Sequence, residues 1–144
     1  MSLDGGLWAE IRGHTSGIDW MRVENGQMML GVPDVNGCRG GVEVWLELKA
    51  TDAWAVVVRP EQCGWAERRM RSGGRVFLLT RRSHDGGPRK GPAVDELWVH
   101  HGLHIRSVLR HGLQLSPPPL LLSEGGPSQW DWRSLTEILF SRKT

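Results

Sequence analysis

The run Val42-Glu43-Val44-Trp45-Leu46-Glu47-Leu48-Lys49-Ala50 limits the folds open to this chain more than any other segment. Successive side chains of a strand point to opposite faces, so Val44, Leu46 and Leu48 project to one side and Glu47 and Lys49 to the other. A second apolar stretch, Met28-Met29-Leu30-Gly31-Val32, ends at Pro33-Asp34, thirteen positions before Glu47. If these two strands pair, two carboxylates and one ammonium converge at a sheet edge.

Such a convergence suits a magnesium-dependent phosphodiesterase. Magnesium takes hard oxygen ligands, commonly one or two carboxylates, and fills its octahedron with water and phosphate oxygens. It polarises the phosphate and helps generate hydroxide, while a nearby lysine steadies the attacking water or the developing charge. Asp34 and Glu47 are the expected ligands, with the Leu48 carbonyl as a third, and Lys49 is the expected water-orienting group. Only three of the eighteen basic residues are lysines (Lys49, Lys90 and Lys143), which makes a lysine in this position more informative. The competing reading of the same residues is a solvated strand face carrying a charge pair.

At 144 residues the chain is read as one domain, 1–144, large enough for a core. No apolar run approaches the roughly 18 residues of a membrane span, and the N-terminus lacks a basic-then-apolar signal pattern, so a cytosolic protein without membrane partners is expected. Cys38 and Cys63 lack metal spacing and read as reduced thiols. Between Arg68 and Lys90 lie eight basic residues and one acid, Asp85. Of these, Arg68, Arg69, Arg71, Arg75, Arg81 and Arg82 are the candidate contacts to nucleic-acid phosphates, against the alternative of a solvated basic face.

Leu3, Leu7 and Ile11 recur at helical spacing and predict a short helix over 3–12 that carries Glu10, weakened by Gly5-Gly6. Trp20 to Glu24 reads as a strand, Asn25-Gly26 as a hairpin turn, and Gln27 to Asp34 as the second strand. Asn36-Gly37 and Gly40-Gly41 bound the next turn, and the Glu47 strand completes an antiparallel meander. Residues 53–58 are either a short strand or an extended connection. Pro60 suits a helix first turn, a helix runs over 61–72, and Gly73-Gly74 stops it. Arg75 to Thr80 is a further, central strand, 83–92 a loop, 95–99 a strand and 103–110 a helix. Ser116-Pro117-Pro118-Pro119 breaks the chain before a last amphipathic helix over 130–140.

With Glu10, Pro33-Asp34 and Glu47-Leu48-Lys49, this order of helix, meander, helix and strand resembles the PD-(D/E)XK nuclease superfamily over about residues 3–82. Gly31-Val32-Pro33-Asp34, the Glu-Leu-Lys, Pro60-Glu61-Gln62 and Gly73-Gly74 before an apolar strand look most like VRR-NUC domains and small phage or archaeal-type Holliday junction resolvases. The resemblance implies an α/β fold with a restriction-endonuclease-like core, a mixed sheet made of the meander and a further strand, and flanking helices. Residues 93–144 would be a C-terminal extension for packing or dimerisation. It further implies Mg²⁺- or Mn²⁺-dependent, structure-specific hydrolysis of branched or duplex DNA. Glu10 would help hold a second metal or its water, and Gln62 would contact the site water or the scissile phosphate. Junction-resolving relatives act as dimers, which matches the two-fold symmetry of the junction, so a homodimer is expected.

The alternatives are a nicking, flap or replication-associated endonuclease on the same core, a non-catalytic DNA-binding module, or an interaction protein unrelated to nucleic acid. His100, His101 and His104 invite a metal reading because His100 and His104 would share a helical face, but no recognised partner spacing accompanies them, and solvent-facing or phosphate-contacting histidines are expected. Among eight tryptophans, Trp45 falls on the Glu47 face, where it could stack on a base, shield the site or simply pack. Trp54 and Trp65 are expected in the core. Gly73-Gly74 lacks a following Lys-Ser or Lys-Thr, so no nucleotide cofactor is expected.

Overall fold

The computed structural model of the chain describes residues 4–23 and 30–142. The elements run α1 (Leu7–His14), β1 (Asp19–Arg22), β2 (Val35–Arg39), β3 (Val42–Thr51), α2 (Pro60–Arg71), β4 (Val76–His84), β5 (Val94–His101), a 3-10 turn (Gly102–His104), α3 (Ile105–His111), β6 (Leu121–Ser123) and α4 (Trp132–Phe140). The result is an α/β arrangement in which six strands, ordered β1-β2-β3-β4-β5-β6, form one mixed sheet. Only β3 and β4 pair in parallel, joined by the crossover through α2, while the other neighbours are antiparallel. No helix among the described residues is long and apolar enough to cross a membrane.

Both faces of the sheet are covered, and β4 shows why its sequence is almost continuously apolar. Phe77 and Leu79 join Leu7 and Ile11 of α1, Val44, Leu46 and Leu48 of β3, and Leu135 and Leu139 of α4 in one core. Val76 and Leu78 join Val58, Cys63 and Ala66 beneath α2, and Ile105 and Val108 of α3, in the other. Residues 94–140 are therefore built into the same sheet and both cores. Arg75 ties the two ends of this construction together: its Nε and Nη2 donate to the Leu139 and Ile138 carbonyls at the C-terminal end of α4 at 3.0 and 2.9 Å.

Several boundaries differ from the sequence reading. α1 starts after Gly5 and Gly6, whose φ values of +60° and +77° are left-handed, and a Cβ on Gly5 would stand 2.9 Å from that of Ala50. The second strand begins at Val35 rather than ending at Asp34, and residues 30–34 form a turn and an extended approach. Asn36-Gly37 lies within β2 and is not a turn. Gly37 is there because the Trp20 indole lies across it, leaving no room for a Cβ, while the Asn36 amide donates to the Val44 carbonyl at 3.2 Å. The reversal is made by Gly40 and Gly41, both at positive φ. The expected Asn25-Gly26 hairpin lies outside the described residues.

Residues 53–58 take the extended alternative. β4 reaches His84 and β5 reaches His101, so His100 is a strand residue and shares no helical face with His104. The short strand β6 was not anticipated. α4 starts at Trp132, capped by Asp131 accepting from the Ser134 amide at 2.9 Å. Trp54 is 39% exposed rather than in the core; it meets Trp98 edge to face beneath the Arg82 guanidinium. Cys38 and Cys63 are both free.

Candidate functional site

The β2–β3 ladder ends where Val35 faces Leu46, leaving Asp34 and Glu47 as the next residues on the two strands. Asp34 is fixed at both ends. Its carbonyl accepts from the Val23 amide at 2.8 Å, and its Oδ2 accepts from the Leu48 amide at 2.9 Å. That amide sits on the edge of β3 beyond the reach of β2, so the carboxylate takes the place of the missing strand. The N–H and C=O of one strand residue face the same edge. The Leu48 carbonyl therefore opens on the side where Asp34 lies.

Glu47 stands on the α2 face of β3 and is 2% exposed. Its Oε2 accepts from the Gln62 Nε2 at 3.1 Å and lies 3.7 Å from the Lys49 Nζ. Its Oε1 is buried without a hydrogen-bond partner. Gln62 is held in turn, because its Oε1 accepts from the Arg59 amide at 2.9 Å as part of the capping of α2. Gly31 brings the Asp34 segment against that same first turn. At φ +85° its Cα approaches the helix so closely that a Cβ would lie 2.2 Å from the Glu61 carbonyl oxygen.

This environment disfavours the Glu47 anion. Burial, then the charge of the neighbouring Asp34 carboxylate, push the Glu47 carboxyl up to about 9, against the pull of Lys49. Two carboxyls face each other with one buried oxygen unanswered. A divalent cation would answer it. The donors present match magnesium, which needs few protein oxygens and completes its shell with water. Among the described residues no three His, Cys, Asp or Glu side chains form a metal-holding group, so the protein share would come from Asp34, Glu47 and the Leu48 carbonyl.

Asp34, Glu47, Lys49 and Gln62 thus come together. Glu10 lies on α1, whose Leu7 and Ile11 pack in the other core, and its charge adds to that of Asp95 in raising the Arg81 pKa. The arginines divide. Arg81 pairs with both carboxylate oxygens of Asp95 at 2.9 and 2.7 Å and donates to the Gly5 carbonyl. Arg82 is buried against Glu96 at 2.7 Å. Arg75 is engaged by α4. These three serve internal partners, while Arg68, Arg69 and Arg71 of α2 remain at the surface.

Two buried polar groups near the site differ from expectation: nothing in the sequence singles out Thr80, and His100 is expected at the surface. Lys49 pairs with Thr80 across the sheet, and Leu78, the partner of Glu47, pairs in turn with His100. The Thr80 hydroxyl and both His100 nitrogens are buried without partners. His100 is therefore neither solvent-facing nor phosphate-contacting, and burial, with the charge of His104, lowers its pKa to about 4. Only the strand register places them, and no local spacing signals it.

No known protein-family model matches the chain, and no curated protein matches it at a significant level.

Proposed function

We propose that this protein is a Mg²⁺-dependent DNA endonuclease built on a restriction-endonuclease-like core, acting on branched DNA as a Holliday junction resolvase. The observation that carries the reading is the Asp34–Glu47 pair, with the Glu47 Oε1 buried and unanswered and Lys49 alongside. The α/β arrangement, a mixed sheet flanked by helices, is compatible with the framework that the sequence resemblance implies.

A bound Mg²⁺ would polarise the scissile phosphate and lower the pKa of water. Asp34 offers its Oδ1, since Oδ2 is engaged by Leu48, and Glu47 offers its Oε1. Gln62 holds the Glu47 carboxylate in place. Lys49 keeps its ammonium beside the reacting phosphate, where it steadies negative charge as it builds. Arg68, Arg69 and Arg71 supply sequence-independent attraction for the DNA backbone. Two copies related by a two-fold axis would place paired nicks symmetrically on a four-way junction.

The test is a gel assay of an end-labelled four-way junction beside its matched linear duplex, with Mg²⁺, Mn²⁺ or EDTA. Metal-dependent symmetric cuts on the junction, absent with Glu47→Ala and with Asp34→Asn while junction binding persists, are the expected result. Cutting of duplex or flap controls as well would retain the nuclease and remove the resolvase. Binding without any cutting would leave a DNA-binding module and end the catalytic reading.

A further inference from the structure

Two residues before Glu47 on the same face of β3, Trp45 meets Trp65 of α2 edge to face, with ring centroids 5.3 Å apart. The Arg69 guanidinium lies over both rings, 4.5 Å from the Trp65 centroid and 5.5 Å from that of Trp45. It has no ion-pair partner among the described residues. A cleft of about 630 Å³ opens beside Trp45, lined also by Glu43, Arg69, Gly74, Arg75 and Arg142. A shallower hollow of about 160 Å³ lies between Trp65, Arg68, Arg69 and Ser72, so Arg69 borders both.

A hydrophobic core element would not leave an indole, a free guanidinium and two further arginines around an open cleft. Arg75 and Arg142 also donate to backbone carbonyls, but with Arg69 their charge outweighs the single carboxylate of Glu43 and favours an anionic occupant, while flat aromatic and guanidinium surfaces favour a flat one. Nucleobases stack on such surfaces without regard to sequence, and the attached phosphates meet the arginines. Two strand residues span roughly 6.8 Å, about two nucleotide rises of 3.4 Å along one strand of a duplex. A base paired within a duplex keeps its faces covered by its neighbours, so the cleft discriminates in favour of DNA whose bases are unstacked.

Resting on the nuclease reading, we infer that the cleft beside Trp45 and Arg69 is a stacking subsite for an unpaired nucleotide one or two positions from the bond cut at Glu47. It selects branched or frayed DNA over continuous duplex.

The experiment measures binding of the full chain in EDTA, where hydrolysis is off, to a short oligothymidylate, the matched duplex and a four-way junction. Trp45→Ala should weaken oligothymidylate binding by about 5- to 150-fold, the range for loss of one base–aromatic stack, and duplex binding by much less. Trp45→Phe should restore most of it. Because Trp45 also packs on Trp65, the exposed Arg69→Ala gives an independent reading, with a smaller loss in the same order of ligands. Equal losses on every ligand would reduce the cleft to a general phosphate contact and overturn the inference. So would no loss in a folded Trp45→Ala protein that still cuts DNA, with the nuclease reading left standing. Selective loss in a protein that cuts nothing would keep the subsite and end the nuclease reading. A wild-type protein that binds none of the three ligands would end both.

Discussion

Replacing Glu47 with Gln keeps the shape of the side chain and removes the charge that its surroundings oppose. The Gln carbonyl can accept from Gln62, as Oε2 does now, and its amide can donate towards Asp34 from the position of the orphaned Oε1. In the wild-type protein, folding raises the Glu47 pKa from 4.5 to about 9. The folded state then holds a proton that the unfolded chain has released, so stability is greatest below the unfolded value and declines as pH rises towards the folded one. The slope is about 1.4 kcal/mol per pH unit. By pH 7 to 8 it amounts to as much as roughly 3–5 kcal/mol. Lys49 loses a partly exposed partner, worth up to about 1 kcal/mol, so a net gain of about 2–4 kcal/mol is expected for the variant at pH 8. For a chain of this size that is a rise in Tm of roughly 5–12 °C. Thermal melts of both proteins in EDTA should therefore coincide near pH 4.5 and separate progressively towards pH 8, with the variant higher. Added Mg²⁺ should raise wild type alone, by about 2.7 kcal/mol at a hundredfold excess over Kd. An advantage independent of pH, or a variant that melts below wild type at pH 8, would refute the opposed-carboxylate account.

Further outcomes follow from other contacts. Arg75→Ala removes two hydrogen bonds to the α4 carbonyls and should lower stability by roughly 2–3 kcal/mol by urea titration. Its effect on DNA affinity, measured by titration at fixed salt, should be smaller than that of Arg69→Ala. Gly31→Ala meets both a left-handed φ and the Glu61 carbonyl, so it should destabilise by more than about 2 kcal/mol. On the nuclease reading, material that remains folded should also cleave less, because the Asp34 segment is displaced from Gln62.

The local grammar of the chain carried the centre of the molecule. Alternation along Val42–Thr51 placed Glu47 and Lys49 together, Pro60 and Gly73 bracketed α2, and Gly40-Gly41 marked the hairpin, all within a few residues of their cause. Misreadings arose where a distant neighbour decided. Gly37 reads as a turn residue until Trp20, seventeen positions earlier, is seen across it. Arg81 and Arg82 read as free cations because Asp95 and Glu96 reach them only through the β4–β5 register, fourteen residues on. β2 starts later than the apolar run before Asp34 suggests, because residues 30–34 turn and approach α2 through Gly31. The proximity of Asp34, Glu47, Lys49 and Gln62 was legible, but the burial that opposes the Glu47 charge, and the unpartnered Thr80 and His100 behind it, depend on packing that no short pattern encodes.

The way Asp34 closes the end of the ladder also bears on which ion such a site would prefer. One oxygen of Asp34 is committed to the Leu48 amide, and one of Glu47 to Gln62 and Lys49. Each carboxylate then has one oxygen free of these contacts to lend a cation, and chelation through both would compete with the bonds that hold the sheet and the helix. Calcium, which favours six to eight oxygens and often takes carboxylates through both, would have to be satisfied chiefly by water. Magnesium, six-coordinate and reluctant to shed its hydration, fits a host that gives so little. On the nuclease reading, the hydrogen bonds that finish a strand would also favour the smaller ion.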